Sequence, residues 1–124
     1  MVDRPARVDR GWSNPSLVKD IDWKRVAKVY RELRKDAQSE LASAGARDAA
    51  LKWWIGAEMR YAGQGHNVSV TLPWHEIGKS SASRLMKEFE KRYRQLYGHL
   101  VPNAAPQVVT WRLTGRSVVK SHRF

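Results

Sequence analysis

From Leu51 the chain alternates apolar and polar residues with a period of two. Leu51, Trp53, Ile55, Ala57, Met59 and Tyr61 fall on one side, and Lys52, Trp54, Gly56, Glu58 and Arg60 on the other. Successive side chains of an extended strand point to opposite faces, so the alternation predicts a long strand with one apolar face. Beyond Ala62-Gly63-Gln64-Gly65 it resumes, with Val68, Val70 and Leu72 set against Asn67, Ser69 and Thr71. The β-branched content there predicts a second strand, antiparallel to the first. Gly63 and Gly65 are expected to supply positive-φ positions for the turn, and Pro73 to stop the second strand because it cannot donate to a ladder.

Two stretches follow the helical period instead. Val26, Val29, Tyr30, Leu33, Ala37 and Leu41 recur at spacings of three and four after Asp22, a suitable N-cap, and Gly45 is placed to end the helix. That predicts about six turns, with a basic outer face near the start. A second helix is expected from Ser80 or Ser81, with Leu85, Met86, Phe89, Tyr93, Leu96 and Tyr97 as its apolar positions and Gly98 as its stop. Pro102 and Pro106 bracket a connection into Gln107–Thr114, a third strand in which Val109, Trp111 and Leu113 share one face and Val108, Thr110, Arg112 and Thr114 the other. Residues 1–20, rich in Arg, Asp, Pro and Ser, show no sustained periodicity and are read as an extended N-terminal arm, with Trp12 and Leu17 as its available anchors. The expected architecture is α+β: a single domain over residues 21–124, order α-β-β-α-β, with two amphipathic helices covering one face of a small antiparallel sheet. The last residues, RSVVKSHRF, read as a strand end or a docking tail, and no internal repeat is present.

Composition narrows what such a domain does. At 124 residues it has room for one modest core. The absence of cysteine removes disulfides, thiolate nucleophiles and Cys-ligated zinc. No apolar run approaches the roughly 20 residues of a membrane span, and MVDRPARVDRGW lacks the apolar core of a signal peptide, so a cytoplasmic chain with no membrane partner is expected. The formal charge of +11 is a strong signal that nucleic acid, an acidic protein partner or an anionic membrane surface could each answer. Its distribution favours protein. Lys24, Arg25, Lys28, Arg31, Arg34 and Lys35 on the first helix are interspersed with Asp22, Glu32 and Asp36, and the cations of residues 79–94 with Glu88 and Glu90, which is the pattern of a solvated or partner-facing helix surface. A basic nucleic-acid-binding module, suggested by net charge and interleaved Tyr, Trp and Arg, stands as the second reading.

Catalytic patterns are weak. His66, His75, His99 and His122 lack the spacing of a zinc site. Gly78-Lys79-Ser80 matches the end of a phosphate-binding loop, but proline occupies position 73, where the upstream glycine belongs. No GxSxG elbow occurs, and Glu58, Glu76 and the helical acids form no evident pair. Tryptophan is abundant, with six residues. Trp53 and Trp54 are adjacent in a strand, so only one can enter the same core. The other requires cover from the N-terminal arm or from a partner, and Trp54 beside outward-facing Arg60 makes a candidate interface patch.

With these residues laid out, the chain resembles the C-terminal domain of the hydantoinase A/5-oxoprolinase family, which includes the ATP-dependent acetone and acetophenone carboxylases. The resemblance covers roughly residues 25–115 and rests on the helix ending Leu41-Ala42-Ser43-Ala44-Gly45, the turn Glu58-Met59-Arg60-Tyr61-Ala62-Gly63-Gln64 with the strand Val68–Leu72, the helix end from Phe89 to Leu96-Tyr97-Gly98, and the strand ending Trp111-Arg112-Leu113. Gln107 stands where the family pattern has an acidic residue, and a short polar arm stands where an actin-like ATPase module normally precedes the domain. What the resemblance implies is a free-standing, non-catalytic small subunit of a multi-subunit carboxylase of the acetophenone type. Its partners would be larger hydantoinase A-like (actin-like ATPase) and hydantoinase B-like subunits, and ATP and Mg would be held by those subunits, with no cofactor in this chain. On that reading Trp53, Trp54, Arg60, Tyr61, Gln64 and Arg112 are structural or interface candidates, the arginines holding turn carbonyls or facing a partner.

Overall fold

The computed structural model describes residues 6–43 and 51–117. The elements are β1 (Arg7–Leu17), a single 3-10 turn (Val18–Asp20), α1 (Trp23–Ser43), β2 (Leu51–Tyr61), β3 (Val68–Pro73), α2 (Ser81–Tyr97) and β4 (Pro106–Ser117). All strand pairs are antiparallel, and the sheet order is β1-β4-β2-β3. This is the expected α+β arrangement with one strand more. The expected Gly45 cap and the tail from Val118 lie outside the described residues.

The additional strand comes from the N-terminal segment, which is extended as expected and also hydrogen-bonded along β4, from Arg7 opposite Arg116 to Leu17 opposite Gln107. Only Val8 is fully buried along Arg7–Leu17, so the segment carries little apolar alternation. Its inward-facing Arg10 is satisfied by α1, with Nε donating to Asp36 at 2.9 Å and Nη2 to Glu40 at 2.6 Å. Charge on an edge strand, with Pro15 inside its register shift between Ser13 and Ser16, is how sheets blunt an exposed edge.

Both helices lie on one face. α1 packs over β1 and β4 and α2 over β3, burying Val26, Tyr30, Ala37 and Leu41 from the first helix and Leu85, Phe89 and Tyr93 from the second. They meet the odd-numbered residues Trp53 to Tyr61 of β2, together with Val68, Val70 and Leu72. Leu96, expected on the apolar stripe, is 54% exposed. In β4 the inward set is Val108, Trp111 and Leu113 rather than Val109, Trp111 and Leu113. The reason is a bulge: Glu58 faces Thr110 and Met59 faces Val108, so Val109 has no partner and the face switches.

Capping follows the expectation in part. The Asp22 carboxylate accepts the Arg25 amide at 3.2 Å, and Gly98 takes the left-handed conformation with φ 80°. At α2 the Ser80 side chain makes no cap; the Ser81 hydroxyl accepts the Gly78 amide instead, at 3.2 Å. In the hairpin turn, Gly63 has φ 83° whereas Gly65 does not have a positive φ. No helix among the described residues is long and apolar enough to cross a membrane.

Tyr30 fastens α1 to the sheet. Its hydroxyl lies 3.0 Å from the Gly56 carbonyl and 2.9 Å from that of Arg112, two residues paired across β2 and β4. Burial pushes this hydroxyl far above the usual tyrosine range, so it stays a neutral donor. Tyr30→Phe keeps the ring and removes the donor, with an expected loss of about 1 kcal/mol. A lower urea midpoint at unchanged m value is the readout.

Candidate functional site

With both helices on one side, the opposite face of the sheet is left uncovered by the described residues. Register fixes its composition. Across β1, β4 and β2 the rows are Arg7, Arg116 and Lys52, then Asp9, Thr114 and Trp54, then Gly11, Arg112 and Gly56, and beyond the bulge Gln107 pairs with Arg60. Glu58 stands between Thr110 on β4 and Ser69 on β3.

These side chains hold one another. Asp9 accepts from Arg7 Nε at 2.9 Å and from the Thr114 hydroxyl at 2.6 Å. Glu58 accepts from the Ser69 hydroxyl at 2.7 Å and lies 3.5 Å from Arg112 Nε. Arg60 Nε donates to Gln107 Oε1 at 3.0 Å, and the Arg116 guanidinium sits 4.4 Å from the centre of the Trp54 ring. The hydrogen bond from Arg7, then that from Thr114, hold the Asp9 carboxyl below its usual range. A depressed pKa makes the Asp9 contribution present above the unfolded value of about 3.9 and lost as pH falls through the folded value. Asp9→Asn is therefore expected to be slightly less stable at neutral pH and to converge on the wild type in melts recorded at successively lower pH, as the carboxylate protonates in the folded state. The difference should be small, because Arg7 and Asp9 are more than half exposed.

The six sequence candidates separate into three groups. Trp54, Arg60 and Arg112 share the open face, strung along roughly 20 Å of β2 and its neighbour rather than gathered at a point. Trp53 and Tyr61 belong to the core. Trp53 lies against Gly115, and the Arg34 guanidinium sits 5.1 Å from its ring and 4.6 Å from that of Trp74. Tyr61 packs edge-on against Phe89 and Tyr93, at centroid distances of 5.0 and 4.9 Å. Gln64 is exposed in the turn, where its amide donates to the Tyr61 carbonyl at 3.0 Å. The expectation that Arg60 holds turn carbonyls is corrected: it stands at the end of β2 and binds a side chain of β4. Among the described residues, β1 does not cover Trp54 either, because it extends the sheet in its own plane.

Sequence reasoning missed Asp9, Thr114 and the pairing of Glu58 with Arg112. Glu58 carried a usable signal, since it alternates with Arg60 on the polar side of β2. Asp9 carried none until β1 was known to pair with β4.

Chemically the face offers recognition. The nearest approach to a nucleophile and base lies elsewhere, where His75 Nε2 is 2.9 Å from Ser81 Oγ. Ser81 is 1% exposed and its oxygen accepts the Gly78 amide, so the pair ties a loop to α2 rather than presenting a nucleophile to substrate. Among the described residues no three of His, Asp or Glu gather where they could hold a metal. A cleft of about 660 Å³ between the start of α1 and the loop before α2, lined by Ile21, Trp23, Lys24, Arg31, Ile77 and Lys79, lies on the helical side.

Comparison with known proteins gives this geometry a context. The family model for the hydantoinase/oxoprolinase C-terminal domain matches residues 16–115. The alpha subunit of caprolactamase from Pseudomonas jessenii is 27% identical over 90 residues, which is 72% of this chain and 13% of that protein. The crystal structure of the ATP-dependent caprolactamase from Pseudomonas jessenii aligns with TM-score 0.80 at 24% identity, covering 92% of this chain and 17% of that one. A nucleotide-free acetone carboxylase aligns with TM-score 0.72 at 18% identity, over 94% of this chain and 18% of that one. At these identities the structural likeness establishes the fold. The chain spans less than a fifth of the length of each of these relatives.

Proposed function

The chain belongs to the hydantoinase/oxoprolinase C-terminal domain family, and from that premise we propose that it is a non-catalytic small subunit that completes the larger subunits of an ATP-dependent carboxylase, of the acetophenone type. One observation carries the reading. The family model for the C-terminal domain matches residues 16–115, two of the similar proteins are described as ATP-dependent, and on the open face Asp9, Glu58 and Arg60 are engaged in holding the sheet together. A hydantoinase A-like subunit would supply the ATP site with its Mg, and a hydantoinase B-like subunit the remaining chemistry. The complex is a hetero-oligomer of the cytoplasm on this proposal, and its substrate, whether ketone, hydantoin or lactam, is selected by the larger chains.

Co-expression of the tagged chain with the hydantoinase A-like and B-like subunits tests the reading. A stable complex on size exclusion is the expected result. Elution of this chain alone, together with a salt-sensitive shift of labelled DNA or RNA at physiological ionic strength, would replace it with the nucleic-acid reading.

A further inference from the structure

The open sheet face carries an arginine whose side chain is more than half exposed. Arg112 lies between Gly11 on β1 and Gly56 on β2, so the strands on either side contribute no side chain at its row. The gap on the β2 side is narrow: a Cβ built on Gly56 comes within 3.2 Å of the Arg112 Cβ. Arg112 therefore stands in a trough across the sheet, 59% exposed, with only its Nε directed at Glu58 and at the long distance of 3.5 Å. The guanidinium offers five donors in a planar fork, and its terminal nitrogens take no hydrogen bond among the described residues.

Charge sets the kind of partner. Among the described residues five cations occupy the face, Arg7, Lys52, Arg60, Arg112 and Arg116, against the two carboxylates Asp9 and Glu58. Both carboxylates are already engaged by hydroxyls and guanidinium groups of this chain. A second copy of the same face would bring like charges together, whereas an acidic surface complements it.

We propose that this face, centred on Arg112 in its glycine-flanked trough, docks an acidic surface of the larger hydantoinase A-like subunit, with a partner carboxylate paired to the Arg112 fork. Trp54, under Arg116 and half-exposed, supplies the aromatic contact beside it. The inference rests on the subunit reading above and adds the surface and the anchoring residue.

The test measures affinity of the purified chain for the purified hydantoinase A-like subunit by titration calorimetry at low and moderate salt, with a melt of every variant to confirm folding. Arg112→Glu is expected to weaken binding about 30-fold or more. Arg112→Lys, which keeps the charge and loses the planar fork, should recover only part of that loss. Arg60→Glu, on the same face and bonded to Gln107 rather than to Glu58, is the second variant should Arg112→Glu fail to fold, and it too should weaken binding. Arg84→Glu and Lys87→Glu, on the exposed side of α2, should bind as the wild type does. Wild-type affinity in folded Arg112→Glu and Arg60→Glu, or a loss confined to the α2 variants, would overturn the placement while leaving the subunit reading intact. Absence of binding by the wild type would remove both.

Discussion

Trp111→Ala is expected to remove most of the stability of this domain, at a cost of about 3–5 kcal/mol and a fall in Tm of roughly 12 °C or more. Trp111 is the largest fully buried side chain, at 1% exposure, and it occupies the middle of the apolar sheet face. It meets Trp23 and Tyr30 of α1 edge-on, each at a centroid distance of 6.0 Å, so truncation opens a cavity and also strips α1 of its main contacts with β4. A domain of this size has only about 5–15 kcal/mol in total, and the variant should lose near-ultraviolet circular dichroism well below the melting temperature of the wild type. Trp111→Phe keeps part of the volume and the edge contacts and should cost clearly less. Equal melts for the two variants would show that the ring contacts contribute little.

Gly115→Ala is expected to be the most damaging addition of a single methyl group. A Cβ at position 115 would lie 2.4, 2.7 and 2.8 Å from three atoms of the Trp53 ring, inside any tolerable carbon contact. The ring has little freedom to withdraw, because Trp53 is 7% exposed and stacked by Arg34, which is itself held against Trp74. Overpacking of this kind costs about 1–3 kcal/mol. A double-mutant cycle isolates the cause: in a Trp53→Leu background the ring is gone, and Gly115→Ala should then cost close to nothing. An undiminished cost in that background would place the penalty in the β4 backbone instead.

How much of this was legible in the sequence depended on whether a periodicity was local. The opposite directions of Trp53 and Trp54, the stripe of α1 and the β2-β3 hairpin all follow from periodicity within one segment, and each stands as expected except that Val29 of α1 does not join the core and Leu33 is only partly buried. β1 was not legible as a strand, because Arg7, Asp9, Gly11 and Ser13 face outward and Arg10 faces α1, leaving almost no apolar signal. Its pairing also depends on β4, with Asp9 meeting Thr114 across 105 residues of chain. The inward turn of Val108 was hidden for a different reason: in Val108-Val109 either residue satisfies the pattern, and only the opposing strand locates the bulge.

For the candidate site, alternation was enough to place Trp54, Arg60 and Arg112 outward, but not to say what they touch. The partner of Arg60 is Gln107, so a neutral side chain accepts its hydrogen bond and the guanidinium meets no carboxylate there. The Arg60 charge therefore adds to the positive surplus of the open face. The surplus matters for a subunit meeting an acidic partner, since steering of this kind raises the association rate and weakens with salt.

On the proposed function, this chain completes a larger ATP-dependent enzyme without reacting itself. ATP hydrolysis by the purified hydantoinase A-like and B-like subunits, measured alone, with this chain added in increasing amounts, and with this chain by itself, tests it most directly. The expected result is no hydrolysis by the chain alone and a rise in partner activity that saturates at a fixed stoichiometry. Hydrolysis by the isolated chain, or partner activity indifferent to its presence, would contradict it.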